Sequence, residues 1–265
     1  MSPRRHRTPL VPASLPERTG IMMRINILVK HAIIGLFLGC MGTDALAQTP
    51  ACSLPASAPG NYDFDMASDY FGANPDAPTD YYKLAVNWSA AHCEKIQAEL
   101  HKATNQKTTE KLQQENQFQC FSGNRFGWIL HGLWASSCAG KSLAQCTDLT
   151  EIKNHPRFCR GDLPALPFSE IQPYLCMSPG AALLQAEWEK HGACDFDSAP
   201  AYFEKSKELF DALKLPQQHM SHAELERWMK HHNPPLKNKH LLFRESEMYI
   251  CYDTDFELID CPPRP

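Results

Sequence analysis

The cysteine content of this chain constrains its fold more than any other feature. The sequence has 11 cysteines in 265 residues, and ten of them follow residue 47. An even number of cysteines in an exported chain is typical of a disulfide framework, here of up to five bonds. Scattered buried thiols are the alternative, which export disfavours. No two cysteines form a C-x-x-C pair, which argues against a structural zinc site.

The export prediction comes from residues 1–47, which we interpret as an N-terminal extension followed by a secretory signal peptide. Residues 22–24 open a basic region, residues 25–38 are largely apolar, and residues 45–47 form a small-x-small cleavage site. The apolar run is short and is interrupted by Lys30, so a permanent membrane span is disfavoured. We expect a periplasmic or secreted protein that has no membrane span after signal removal.

Residues 48–265 are enough for one domain with a sizeable core, and we expect a monomer. Residues 1–47 contain six of the 26 basic and two of the 30 acidic residues, so the remainder has a net charge of −8. This charge argues against binding nucleic acid through bulk electrostatics. Any chemistry on RNA or DNA must therefore come from a local site.

Apolar periodicity predicts a mixture of helices and strands without regular alternation. This favours an α+β fold, a single domain with a central antiparallel sheet flanked by helices and cross-linked by disulfides. Ser221 and Glu224 form the sequence pattern of a helix capping box. The predicted strands are 81–88, 126–130, 241–243 and 247–252, and the predicted helices are 89–114, 181–191, 201–213 and 221–231, with residues 134–161 as loop.

Ionisable side chains cluster at the end of the predicted helix 181–191. Glu187, Lys190 and His191 are spaced so that they share one helical face. Gly192 is a plausible helix stop, and a helix C-terminus favours a protonated His191. A Glu–Lys pair at this spacing more often lies on an exposed helix surface, where the ion pair stabilises the helix by a few tenths of a kcal/mol.

A second histidine, His131, follows the apolar run 126–130, which we predict to be a buried strand that ends at this residue. A lone histidine there is more often structural. Two histidines on two elements, with a carboxylate and a lysine beside one of them, are the groups needed to move protons around a phosphate. The sequence also contains a histidine-rich tract, for which a metal site is one interpretation. The spacing of these histidines does not place them on one face, which favours a solvated helix end. They are His219, His222, His231, His232 and His240.

Two segments together resemble the active-site segments of the ribonuclease T2 family of secreted, transferase-type endoribonucleases. They are His131-Gly132-Leu133-Trp134 and residues 187–194, which read EWEKHGAC. The pattern YxLAxxW at 82–88 and the segments 250–253 and 260–262 also resemble this family. The resemblance therefore covers roughly residues 80–262, and the fold it implies agrees with the α+β prediction.

The resemblance implies cleavage of single-stranded RNA through a 2′,3′-cyclic phosphate to 3′-phosphate ends, without metal or cofactor. His191 would be the base and His131 the acid, although the resemblance leaves these two roles open. Lys190 and Glu187 would stabilise charge on the phosphorane oxygens. Trp134 would stack on a base or shape the pocket. DNA lacks the 2′-hydroxyl group and should not be cut.

Four positions depart from the family pattern. Ala135 replaces a proline, Ser136 an aspartate that reads the base, Ala186 a histidine that contacts phosphate, and Ala193 a threonine. The change at Ser136 puts purine preference in doubt, so we expect low base specificity. The alternative is a catalytically weakened member of the same fold that binds RNA or a protein, and the retained histidines, glutamate and lysine speak against it.

The resemblance also suggests disulfide pairs. The family pairing implies Cys146–Cys194 and Cys251–Cys261. The remaining cysteines were paired by order alone: Cys93–Cys120, Cys52–Cys138 and Cys159–Cys176.

Overall fold

A computed structural model describes residues 52–148 and 152–264. The predicted extension and signal peptide, residues 1–47, lie outside the described residues. No helix in the described ranges is both long and apolar enough to cross a membrane.

An antiparallel sheet organises the described residues. The strand order is β2-β1-β4-β3, and β5 pairs with β4. The strand β1 coincides with the predicted 81–88, whose aromatic and β-branched residues favour a strand. The strands are β1 Tyr81–Trp88, β2 Trp128–Ser136, β3 Leu242–Arg244, β4 Glu247–Tyr252 and β5 Leu258–Ile259.

Helices flank this sheet. The predicted helix 89–114 is two helices, because the side chain of Asn105 accepts a hydrogen bond from the Thr108 N–H (2.8 Å) and starts a second helix. The capping box of Ser221 and Glu224 is present at the start of the last helix. The helices are α1 Ser89–Lys102, α2 Gln106–Glu115, α3 Phe168–Ile171, α4 Ala181–Glu187, α5 Ala193–Asp195, α6 Ala199–Asp211 and α7 His222–His232, with π-helical turns at Gln117–Phe121 and Trp188–Gly192.

The two faces of the sheet have different surroundings. One face of β1, with Leu84 and Val86, packs into a core that includes Leu184 of α4 and Phe203 of α6. The opposite face of β1 carries Lys83 and Asn87 into an open cleft. Successive side chains in a strand point to opposite faces of the sheet, so β1 separates the core from the cleft. These features confirm the α+β prediction.

Strand β2 contains a bulge at His131. Ala85 of β1 pairs with Gly132 and Val86 pairs with Leu130, so His131 has no partner on β1. A bulge adds one residue to a strand and changes the direction of its side chain. Leu130 and Leu133 both remain in the core, while His131 and Gly132 face the cleft side. The predicted strand 126–130 was therefore placed too early, and the segment after His131 continues the strand.

Five disulfides cross-link the described residues. Cys93–Cys120 and Cys251–Cys261 coincide with predicted pairs, and the other three predicted pairs are wrong. Assignment by order gave one correct pair of three, Cys93–Cys120, because sequence order carries little information on distance in the fold. The other three bonds are Cys52–Cys176, Cys138–Cys146 and Cys159–Cys194.

The family-implied pair Cys146–Cys194 is wrong for a specific reason. The Phe158 N–H donates to the carbonyl oxygen of Lys190 (3.2 Å), so the chain around residue 158 runs beside the π-helical turn. Cys159 thereby reaches Cys194 at a Cα–Cα distance of 4.8 Å. Cys146 instead closes an eight-residue separation with Cys138. The predicted pairs Cys52–Cys138 and Cys159–Cys176 are excluded by these same bonds.

Candidate active site

All five site residues predicted from the sequence line one cleft of about 670 Å³ on the polar face of the sheet. Strand β2 supplies two of them, and the other three come from the end of α4 and the π-helical turn that follows it. They are His131, Trp134, Glu187, Lys190 and His191.

His131 is fixed by a carboxylate that the sequence did not reveal. Its Nδ1 atom lies 2.5 Å from Oε1 of Glu247, and its Nε2 atom lies 3.5 Å from Oε1 of Glu187. The Tyr249 hydroxyl also donates to Glu247, and the Asn87 side-chain amide lies 3.3 Å from it. Burial by itself lowers the pKa of His131, but the hydrogen bond to Glu247 and the two carboxylate charges raise it above its usual value.

The environment of Glu247 stabilises its ionised form. Burial raises its pKa, but the hydrogen bonds and the positive charge of His131 more than offset this and lower the pKa to about 2. Glu247 is therefore ionised at neutral pH, and it holds His131 with Nδ1 protonated. The remaining nitrogen, Nε2, faces the side of the cleft that holds Glu187.

Glu187 is buried against β2. Its Oε2 atom accepts a hydrogen bond from the indole N–H of Trp134 at 2.7 Å. Burial raises the pKa of Glu187, and the charges of His131 and Lys190 only partly oppose this. Gly132 makes room for the carboxyl group, since a Cβ atom there would overlap Oε2 and lie 2.7 Å from Cδ of Glu187. The glycine in the His131–Trp134 motif is thus required by the position of Glu187.

His191 is buried, and no acidic side chain of the described residues forms an ion pair with it. Its ring stacks on Trp134 with centroids 5.5 Å apart, and its Nδ1 atom makes no hydrogen bond within the described ranges. Burial lowers the pKa of His191 well below its usual value, and the positive charges of Arg157 and Lys190 lower it further. The expectation of a protonated His191 at a helix end is wrong, because burial and the neighbouring cations favour the neutral imidazole.

The helix also does not stop at Gly192. The chain widens into the π-helical turn Trp188–Gly192 and then continues as α5. π-helical turns are rare in proteins, and those that occur often lie at functional sites. Gly192 has an ordinary helical φ of −64°, and a Cβ atom there would lie 2.5 Å from Cγ of Tyr202. Close packing, and not helix termination, explains this glycine.

Lys190 is held by the segment that precedes the sheet. Its Nζ atom lies 3.2 Å from Oδ2 of Asp69 and 4.1 Å from the ring centroid of Phe64. The guanidinium of Arg157 binds the same Asp69 oxygen at 2.8 Å. Burial raises the pKa of Asp69, but the Phe71 N–H bond and the two cations lower it below its usual value.

Sequence reasoning missed the residues that support the site, above all Glu247, Asp69 and Arg157. None lies within the two active-site segments 131–134 and 187–194, and their partners are set by strand pairing and by the path of the chain before β1. Glu247 does lie in the predicted strand 247–252, on the same face as Tyr249. The sequence pattern does not predict that the strand of Glu247 pairs with β1.

The histidine-rich tract lies outside this cleft. His232 stacks on Trp228 at 3.9 Å, and His219 stacks on Trp128 at 6.4 Å. Within the described residues, no group of three or more His, Cys, Asp or Glu side chains is arranged to hold a metal ion.

Comparisons with known proteins show what this chain is similar to. The model of the ribonuclease T2 family matches residues 79–226. A probable ribonuclease of Haemophilus influenzae is 47% identical over 201 residues, which cover 76% of this chain and 68% of that protein. A ribonuclease of Aeromonas hydrophila is 26% identical over 117 residues, covering 43% of this chain and 37% of that protein. The solved structure of an RNase-related protein from Calystegia sepium has a TM-score of 0.44 and 16% identity, covering 71% of this chain and 92% of that chain.

The matched residues include the strand that carries His131 and the helical segment that carries Glu187, Lys190 and His191. The match spans more than half of the sequence, and the Haemophilus influenzae relative covers three quarters of it at high identity. The chain therefore belongs to the ribonuclease T2 family.

Proposed function

We propose that this protein is an endoribonuclease that cleaves single-stranded RNA by transphosphorylation, without a metal ion or cofactor. The observation that carries the proposal is the pairing of two histidines with opposite properties in one cleft. His131 and His191 both contact the Trp134 ring, at centroid distances of 5.1 and 5.5 Å. The first has a raised pKa and the second a lowered one. This is the combination that an acid and a base need at the same pH.

In the first step, neutral His191 takes the proton of the 2′-hydroxyl group as its oxygen forms a bond to phosphorus. Protonated His131 gives a proton from Nε2 to the 5′-oxygen as the P–O bond breaks. The products are a 2′,3′-cyclic phosphate and a new 5′-hydroxyl end. In the second step, the roles reverse and water opens the ring to a 3′-phosphate. Each proton transfer contributes on the order of 10²–10⁴ in rate.

Lys190 and Glu187 act on the phosphorane oxygens. Lys190 supplies positive charge. Burial raises the pKa of Glu187, so that its protonated form can donate a hydrogen bond to an anionic oxygen, while the hydrogen bond and charge of Glu247 still raise the pKa of His131. Trp134 then shapes the pocket, since its indole N–H is engaged by Glu187 and its ring contacts both histidines.

Low base specificity is part of the proposal. The hydroxyl group of Ser136 donates to the carbonyl oxygen of Trp134 at 3.1 Å, and the residue is buried. It therefore does not offer a free polar group to a base. We also propose that the protein acts as a monomer in the periplasm or outside the cell, where its five disulfides persist, and that it leaves DNA intact.

The test uses the oxidised protein without residues 1–47, with EDTA, from pH 4 to 8. The substrates are single-stranded RNA, the same sequence as DNA, and DNA with one ribonucleotide. We expect cleavage only 3′ to ribonucleotides, with cyclic phosphate appearing before 3′-phosphate. His131→Asn and His191→Asn should each lose at least about a hundredfold in rate. His231→Asn, an exposed histidine of α7, is the matched control.

Three outcomes would contradict the proposal. Loss of cleavage in EDTA would require a metal, and products with 3′-hydroxyl ends would exclude transphosphorylation. RNA binding without cleavage by the folded wild-type protein would identify a member of the fold that only binds RNA.

A further inference from the structure

Two neighbouring aromatic side chains are exposed in the segment that precedes the sheet. Tyr70 is 92% exposed and Phe71 is 43% exposed. Among the described residues, Leu54 and Leu143 are the only other exposed large hydrophobic side chains, and they are not adjacent in sequence. Single exposed apolar residues are ordinary, but an adjacent pair of aromatic rings beside a cleft indicates a contact surface for a ligand.

One ring of the pair lines the proposed catalytic cleft, and the other contacts it from outside the lining. Phe71 lines the same cleft as His131 and His191. The rings of Tyr70 and Phe71 are 5.3 Å apart at an interplanar angle of 84°. The Arg157 guanidinium lies 5.9 Å from the Phe71 centroid, within the range of a cation–π contact. Phe71 is thus held on two sides.

The segment that carries these rings is tied to the catalytic domain. Asn74 and Arg157 exchange two backbone hydrogen bonds, of 3.0 and 3.2 Å. The Asp69 side chain accepts bonds from the backbone N–H groups of Phe71 and Gly72. A segment whose backbone is anchored before binding loses less entropy when a ligand contacts it.

Charge beside the rings suits a nucleic acid backbone. Lys190 and Arg157 share one carboxylate, Asp69, which leaves one positive charge in excess. The Lys190 side chain is 21% exposed, so it can reach a phosphate. Aromatic rings next to a positively charged groove are the usual means by which proteins bind single strands without reading sequence.

We propose that Tyr70 and Phe71 form a stacking platform for a nucleobase of the single-stranded RNA bound in the cleft. The proposal rests on the proposed function for its substrate. Both residues precede the stretch 79–226 that matches the family model, so the platform is a feature of this chain outside the matched domain.

Binding is measured separately from cleavage. The probe is a 2′-O-methyl RNA oligonucleotide, which has no free nucleophile, with 2-aminopurine at one position in turn. With wild-type protein, we expect fluorescence quenching at one position. The quenching should disappear in Tyr70→Ala/Phe71→Ala and persist in Phe71→Tyr. On cleavable RNA, the double variant should raise KM about tenfold with kcat within about twofold, the size expected for one lost base stack.

Leu143→Ala is the control, because this exposed side chain does not line the cleft. Wild-type KM and quenching in the double variant would overturn the proposal, as would an equal loss in Leu143→Ala. If the wild type quenches through Tyr70 and Phe71 but does not cleave RNA, the platform stands and the proposed catalysis fails.

Discussion

The Nδ1 atom of His131 lies 2.5 Å from Oε1 of Glu247, although 116 residues separate the two in the sequence. The bulge in β2 turns His131 toward the cleft, and the pairing of β1 with both β2 and β4 brings Glu247 beside it. Glu247 fixes the tautomer, the orientation and the charge of the imidazole. We therefore assign it as a positioning residue for the proposed acid.

Replacing Glu247 with glutamine tests this assignment. Glutamine keeps an acceptor for the Nδ1 proton but removes the negative charge that raises the pKa of His131. As pH rises, His131 should therefore lose its proton at a lower pH in the variant than in the wild type. We expect the alkaline limb of the profile of kcat/KM against pH to move down by about one unit.

A merely structural role for Glu247 predicts a different result. Activity would then fall by the same factor at every pH, with both limbs unmoved. Glu245→Gln is a matched control from the adjacent turn, since this side chain makes no contact with His131 among those described.

The lowered pKa of His191 predicts the acidic limb of the same profile. A base must be unprotonated in the free enzyme, so activity should fall only below the ordinary value of 6.5 for histidine. The rate should therefore be near its maximum at pH 6, where an exposed histidine would be largely protonated. Titration of the two imidazoles by NMR should place the His191 transition below that of His131. The reverse order would exchange the two proposed roles.

The sequence was sufficient for those elements whose local patterns agree with the fold. Aromatic and β-branched residues predicted β1, and the capping box of Ser221 and Glu224 predicted the start of α7. The bulge at His131 was missed, although Leu130 and Leu133 gave a signal: two core residues three apart do not fit a regular strand.

The side chains proposed for catalysis could be predicted because two contiguous segments carry them. The residues that support them were not found, because contacts such as Lys190–Asp69 join distant parts of the chain. The disulfide errors have the same origin. The path of a loop brings Cys159 next to Cys194, and neither the spacing nor the order of the cysteines predicts that path.

Gly132→Ala should remove most activity without unfolding the protein. The added methyl group would occupy the space of the Glu187 carboxyl group, which must then move away from Trp134 and His131. A displacement of about 1 Å at a catalytic group costs about a hundredfold in rate. The measurement is kcat/KM beside the melting temperature.

Gly127→Ala is the matched control, because its Cβ atom would make an ordinary contact of 3.5 Å with Trp88. Equal activity of the two variants would show that Glu187 can shift without cost and would remove it from the proposed mechanism.

Asp69→Asn should impair catalysis through Lys190. Loss of the carboxylate leaves Lys190 and Arg157 as unpaired neighbours, which repel each other and displace the ammonium group. We expect kcat to fall about tenfold, in keeping with the sensitivity of rate to small displacements. Asp63→Asn, an exposed carboxylate of the same segment, should have no effect. An unchanged kcat in Asp69→Asn would mean that Lys190 keeps its position without this ion pair.

The His131–Glu247 pair should also make stability depend on pH in a defined window. The pKa of Glu247 falls from an ordinary value of 4.5 to about 2, so its contribution is complete above pH 4.5 and is lost as pH falls toward 2. The pKa of His131 is raised, so its contribution is complete below pH 6.5 and is lost as pH rises through the raised value. The pair therefore stabilises the folded protein most between pH 4.5 and 6.5.

Urea unfolding with the disulfides intact should show wild type more stable than Glu247→Gln by up to about 3 kcal/mol in this window. The difference should shrink toward pH 2, whereas Glu94→Gln, at an exposed position, should match wild type throughout. A difference between wild type and Glu247→Gln that stays constant from pH 6 to pH 2 would mean that the pair contributes through packing and not through charge.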